Sequence, residues 1–194
     1  MPERSVIVFD LDGTLSDPSE GVVKSFNYAL ERLGRPPAPE SALTKYIGPP
    51  LREAFSELLE TEDERRIAEG IALFRSRYRA AGYLENRLYE GIPEVLNTLK
   101  EREYRLYVVT IKIEEMANRV ARHFGIADFF EGIYGCDFHI PKAGALRKIL
   151  EKERPGKGQA WMIGDRVTDI SAGKQVGMRT IGAAWGFGSL DELQ

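Results

Sequence analysis

"SVIVFDLDGTLSD", Ser5 to Asp17, opens with four consecutive apolar residues, Val6, Ile7, Val8 and Phe9, and then places two acids one residue apart, Asp10 and Asp12, followed by Gly13. A short unbroken apolar run predicts a strand buried on both faces, the pattern of a parallel sheet covered on both sides. Two carboxylates at the end of such a strand repel each other. Taken alone, "DLDG" also reads as an Asx-type turn with glycine in a left-handed conformation.

Three more runs have the same character: "RLYVVT" (Arg105 to Thr110), "QAWMIG" (Gln159 to Gly164) and "RTIGAAW" (Arg179 to Trp185). "EGIYG", Glu131 to Gly135, is a weaker fifth strand candidate. Helical patterns lie between them at Ile92 to Arg102, Ile113 to Phe124, Ala143 to Glu153 and Ile170 to Val176, the first with Val95, Leu96 and Leu99 at helical spacing. Strand and helix alternate, which predicts an α/β fold with right-handed crossovers.

The interval between the first strand and Ile92 has another character, with no strand-like run. "EGVVKSFNYALERLG" puts Val22, Val23, Phe26, Leu30 and Leu33 on one helical stripe and stops at Gly34. Further helices are expected around Leu51 to Leu59 and Arg65 to Ala81. So much helix exceeds what a simple crossover needs. The expectation is therefore a catalytic core from residues 1–16 and 87–194 with a helical cap, 17–86, inserted into it. The charge run "ETEDERR", Glu60 to Arg66, reads as solvated surface at a helix start.

Composition narrows the class. Hydrophobic residues at 43% and charged residues at 29% describe a chain that can bury a core. A net charge of −3 offers no electrostatic footprint for nucleic acid or an anionic membrane. One cysteine, Cys136, allows no internal disulfide, and no run approaches the roughly 20 apolar residues of a membrane span. The expected setting is the cytoplasm.

If the strands are parallel, their C-terminal ends share one edge, and chemically loaded residues collect there. They are Asp10 and Asp12 after the first strand, Thr110 after the second, Lys142 after "DFHIPK", and Asp165 and Asp169 in "GDRVTD". Carboxylates, a hydroxyl and an ammonium are a suitable set for holding a hard cation such as Mg²⁺ beside a phosphate. The lysine and threonine can take the remaining phosphate oxygens, with N–H groups at a helix start.

These four motifs, in this order and spanning the chain, resemble those of the haloacid dehalogenase-like hydrolase superfamily. The helical insertion after the first motif resembles the cap of its phosphoglycolate-phosphatase-like branch. The resemblance implies a Rossmann-like parallel sheet of order 3-2-1-4-5. It also implies an Mg²⁺-dependent phosphomonoesterase acting on a small phosphorylated metabolite such as phosphoglycolate, a nucleotide or a sugar phosphate. Asp10 would be the nucleophile, forming an aspartyl-phosphate, and Asp12 the general acid and base that also gives the metal its backbone carbonyl. Asp165 would complete the metal site, and Asp169 would bind metal through water or orient Lys142. Thr110 and Lys142 would hold the transferring phosphoryl group, with Gly13 and Gly164 as supporting positions. Lys24, Lys45 and Arg52 are candidate cap contacts for substrate, although solvated surface lysines and arginines have the same look.

Two features depart from the family pattern. Ile111 stands where a polar residue usually follows the motif threonine, and Lys142 follows Pro141 instead of preceding a proline. A phosphosugar mutase shares every motif. A phospho-receiver domain gathers similar groups, but its reactive acid ends the third strand of a shorter, uncapped chain. Asp12 argues against dehalogenation, which lacks that acid–base group. His123, His139 and Cys136 are not expected to react, and "AAWGFGS" is expected to be either core or a loop edging the site.

Overall fold

The structure, a computed structural model, describes residues 5–136 and 141–193. In chain order the elements are β1 (Val6–Phe9), β2 (Ser16–Asp17), α1 (Ser19–Arg32), α2 (Glu40–Leu43), α3 (Leu51–Leu59), α4 (Glu64–Ala80), β3 (Arg87–Leu88) and α5 (Ile92–Glu101). They continue as β4 (Arg105–Thr110), α6 (Glu114–His123), β5 (Gly132–Gly135), α7 (Lys142–Glu153), β6 (Ala160–Gly164), α8 (Val167–Gln175) and β7 (Arg179–Gly182). By their internal contacts the residues form two compact units, Pro18–Arg87 and the remainder on either side of it.

The larger unit is built on a five-stranded sheet of order β5-β4-β1-β6-β7. Every pair in it is parallel. Numbered among themselves, the five strands run 3-2-1-4-5, the order the family resemblance implies. The reason β1 is central is its composition: all four residues of VIVF are buried, so neither face of the strand can meet water. Phe9 lies opposite Val108 of β4 and Ile163 of β6. The edge strands are less buried; Ile181 of β7 is 47% exposed, which explains the weaker signal of such segments in the sequence. The chain leaves β1 for one side of the sheet and later crosses to the other. The order reverses at β1, the topological switch point of such a sheet, outside whose strand C-termini ligands of open α/β sheets bind.

The smaller unit is helical. The face of α1 carrying Val22, Phe26, Ala29 and Leu30 is buried. The Phe26 ring sits among those of Tyr46, Phe55 and Phe74, at centroid distances of 5.7, 5.4 and 4.7 Å. Arg77 pairs with Glu85 through both guanidinium nitrogens. Among the described residues, no helix is long and apolar enough to cross a membrane.

Three local expectations shift. Strand β7 ends at Gly182, and the chain from Ala183 is loop rather than strand. Helix α8 begins at Val167, before Ile170, because the Asp169 side chain accepts the Arg166 N–H and satisfies the first turn from inside it. In α5 the buried positions are Ile92 and Leu96, whereas Val95 faces outward.

Candidate active site

At the end of β1 the sheet ladder continues one residue further, with Asp10 N–H donating to the Ile163 carbonyl at 2.8 Å. Leu11 then turns into the core, and its carbonyl accepts from Leu15 and Ser16 N–H at 2.9 and 3.0 Å. Gly13 adopts φ +87°, and a Cβ there would overlap the Asp165 carboxylate, so glycine is required twice over. This tight turn separates the two acids of "DLD".

Asp10 joins Asp165 and Asp169: each offers a carboxylate oxygen, and these atoms lie within 4.8 Å of one another. All three residues are buried. Lys142, the first residue of α7, sets its Nζ 3.2 Å from Asp10 Oδ1 and donates to Asp169 Oδ1. The other Asp169 oxygen accepts from Arg166 N–H at 3.1 Å. Asp165 accepts from Thr14 Oγ1 at 3.2 Å and from Phe187 N–H at 2.8 Å.

The three carboxylates are buried together and only Asp10 and Asp169 meet the ammonium, and the proton affinities of Asp165, Asp169 and Lys142 reflect this crowding. Burial raises the pKa of Asp165. Burial, then the Asp10 charge, pushes Asp169 up to about 7. At Lys142 burial works to lower the pKa, but the charges of Asp10 and Asp169 outweigh it and hold the ammonium above its ordinary range. The donor set is all carboxylate oxygen with excess negative charge, which fits a hard divalent cation.

Asp12 lies outside this cluster. Its Oδ2 is 2.7 Å from Lys112 Nζ, and burial raises its pKa against the opposing pull of Lys112. Thr110 is buried at the end of β4, and its Oγ1 accepts the Lys112 N–H at 3.3 Å. Ile111 between them is exposed.

Asp10, Lys142, Asp165 and Asp169 therefore meet in one unit, and Asp12 and Thr110 are each bonded to Lys112. The three cap candidates instead carry ion pairs within the helical unit. Lys24 meets Glu20 and Glu85, Lys45 meets Glu57, and Arg52 meets Glu62 and Glu64. His123 is exposed on α6, Cys136 is buried, and His139 falls outside the described residues.

Sequence reasoning passed over Thr14 and Lys112, and left the loop after β7 open between core and an edge of the site. Trp185 Nε1 donates to Thr14 O at 3.1 Å, so "AAWGFGS" edges the site. A Cβ on Gly188 would overlap Asp165, and one on Gly164 would overlap Asp169. Thr14 lies within the first motif and Lys112 two residues beyond the motif threonine, the signals by which sequence could have found them.

A parallel α/β core with carboxylates and a lysine gathered at its switch point defines a class of hydrolase built to handle phosphate. The match is specific: residues 7–183 fit the model of the haloacid dehalogenase-like hydrolases, and the chain belongs to that family, acting on phosphoric monoesters. It is 40% identical to a 5'-nucleotidase of Pseudomonas aeruginosa, over 97% of this chain and 86% of the relative. It is 35% identical to the tyrosine-protein kinase PtkA of Mycobacterium tuberculosis, over 96% of this chain and 64% of that protein. Among solved structures, a haloacid dehalogenase-like hydrolase from Streptococcus pneumoniae superposes with a TM-score of 0.88 at 33% identity, covering 100% of this chain and 90% of that one.

Proposed function

We propose that the protein is an Mg²⁺-dependent phosphomonoesterase that hydrolyses a small phosphorylated metabolite through an aspartyl-phosphate on Asp10. The observation that carries this reading is the gathering of buried Asp10, Asp165 and Asp169 into one carboxylate cluster, with the Lys142 ammonium against Asp10 and Asp169. Asp10, Asp165 and the backbone carbonyl of Asp12 would hold the cation, which when bound offsets negative charge on the carboxylates and the substrate phosphate. Both Asp169 oxygens already accept hydrogen bonds, which favours its role as the residue that orients Lys142.

In the first step an Asp10 oxygen attacks phosphorus, the bond to the leaving oxygen breaks, and Asp12 gives that oxygen its proton. In the second, Asp12 takes a proton from water as the water oxygen attacks phosphorus. The bond to Asp10 breaks, releasing inorganic phosphate and restoring both acids. Thr110 and Lys142 hold the phosphoryl oxygens throughout. A raised Asp12 pKa suits a group that must carry a proton before the first step. We read the helical unit as the cap whose side chains select the substrate. The nucleotidase relative makes nucleoside monophosphates the first substrates to try.

The test is hydrolysis of p-nitrophenyl phosphate and of a panel of nucleotides, sugar phosphates and phosphoglycolate, with and without Mg²⁺, by wild type and Asp10→Asn. Mg²⁺-dependent phosphate release by wild type alone is expected, with Asp10→Asn reduced by at least about 10³-fold. Unchanged activity in the variant would sink the reading. An isomerised product needing a bisphosphate primer, without phosphate release, would replace it with a mutase.

A further inference from the structure

We propose that Lys112 is the positioning residue for Asp12, holding that carboxylate apart from the metal-binding acids with one oxygen turned toward the leaving group. This rests on the assignment of Asp12 as proton carrier in the preceding section.

Several observations converge on Lys112. Its ammonium lies 2.7 Å from Asp12 Oδ2, and its side chain is only 9% exposed. An ammonium withdrawn from water is expensive unless paired, so this one is tied to its place by the carboxylate it meets. Its backbone N–H donates to Thr110 Oγ1, so the loop that carries Lys112 is registered on the residue that would bind the phosphoryl group. Lys142, the other ammonium of the site, is committed to Asp10 and Asp169.

The two Asp12 oxygens are then unequal. Oδ2 faces Lys112, whereas Oδ1 is buried and has no hydrogen-bond partner among the described residues. A buried carboxylate oxygen with no protein partner is open to a group brought by the substrate or by water. The leaving-group oxygen, and after it the attacking water, are groups that would bring or take a proton there. Without Lys112, Asp12 is free to rotate about χ1 and its proton is delivered from the wrong place.

A positioning role predicts a selective defect. A p-nitrophenolate departs without being protonated, whereas an alkoxide needs its proton in the transition state. The value of kcat/KM reports aspartyl-phosphate formation alone, so it separates the two cases. The measurement compares p-nitrophenyl phosphate with the best alkyl ester among AMP, glycerol phosphate and phosphoglycolate, for wild type, Lys112→Met, Lys112→Arg and Asp12→Asn.

In Lys112→Met the ratio of alkyl to aryl kcat/KM should fall by about 30-fold or more, within the range that general acid catalysis supplies. Lys112→Arg should recover most of that ratio. Adding Asp12→Asn to Lys112→Met should lower the alkyl rate little beyond Asp12→Asn alone, because the two act as one unit. Proportional losses on both esters, an unchanged ratio, or multiplicative losses in the double variant would overturn the proposal while leaving the phosphatase reading intact. A wild type inactive on every ester would sink the phosphatase reading first. Should Lys112→Met fail to fold, Lys112→Gln against Lys112→Arg gives the same comparison.

Discussion

Asp169 is fully buried against Asp10 and Lys142, and its proton affinity makes the cluster a liability for the metal-free fold. Its folded pKa of about 7 stands above the ordinary value of 3.8. Between those two values the folded state keeps a proton that the unfolded chain has lost. Stability is therefore full below the unfolded pKa and declines as pH rises through the folded one. One such group changes stability by at most about 1.4 kcal/mol per pH unit, so from about pH 5 to about pH 7 the ceiling is near 2.7 kcal/mol. That pKa already contains the pull of Lys142, and because the group is only half titrated at pH 7 about 2 kcal/mol of the ceiling is expressed. Asp169→Asn is neutral at every pH and loses this slope. The assay is urea denaturation in EDTA at both pH values, repeated with millimolar Mg²⁺. Wild type should lose more stability than the variant between the two pH values, by about 2 kcal/mol. Mg²⁺ should restore wild type preferentially at the higher pH, by binding the folded state alone. A wild type that loses no more than the variant would refute the reasoning.

Gly13→Ala places a side chain at φ +87° against the Asp165 carboxylate. It should destabilise the protein by about 2–3 kcal/mol and weaken Mg²⁺ binding measured by calorimetry; an unchanged metal affinity would show that Asp165 does not depend on this close approach. Phe26→Ala empties the centre of the aromatic cluster with Tyr46, Phe55 and Phe74. A loss of about 3–5 kcal/mol is expected in denaturant melts, and a loss under about 1 kcal/mol would mean that the helical unit does not rely on that cluster.

The parts of the fold legible in the sequence are those where burial is continuous. VIVF and RLYVVT declare themselves because both faces of a central parallel strand exclude polar residues. The edges were harder: β7 ends where "AAW" still looks strand-like, because β-propensity does not say where ladder partners run out. Helix α8 starts early because an acid inside its first turn, rather than before it, satisfies the orphan N–H. The site divides in the same way. Motif spacing marks acids at strand ends, but pairs such as Thr14 with Asp165, or Asp12 with Lys112, exist only once strand order makes neighbours of distant loops. "AAWGFGS" reads as either core or a loop edging the site, and only packing shows that its backbone seats the Asp165 carboxylate.

The paired acids of "DLD" gain a physical explanation from this geometry. Asp10 is still held by the sheet ladder through Ile163, so its side chain stays with the strand-end cluster. Leu11 is drawn inward by burial, and the turn at Gly13 closes on its carbonyl. Asp12 is thereby delivered to the opposite partner, the loop after β4, where Lys112 meets it. The repulsion between the two carboxylates is relieved by giving each its own ammonium, Lys142 for Asp10 and Lys112 for Asp12. A nucleophile must stay ionised, whereas a proton carrier must bind and release its proton, and at Asp12 burial raises the pKa against the pull of Lys112. Lys142 at the start of α7 and Lys112 in the loop after β4 keep the two acids apart. Removing the charge at Lys142 should therefore disturb the handling of the phosphoryl group, and removing it at Lys112 the transfer of the proton.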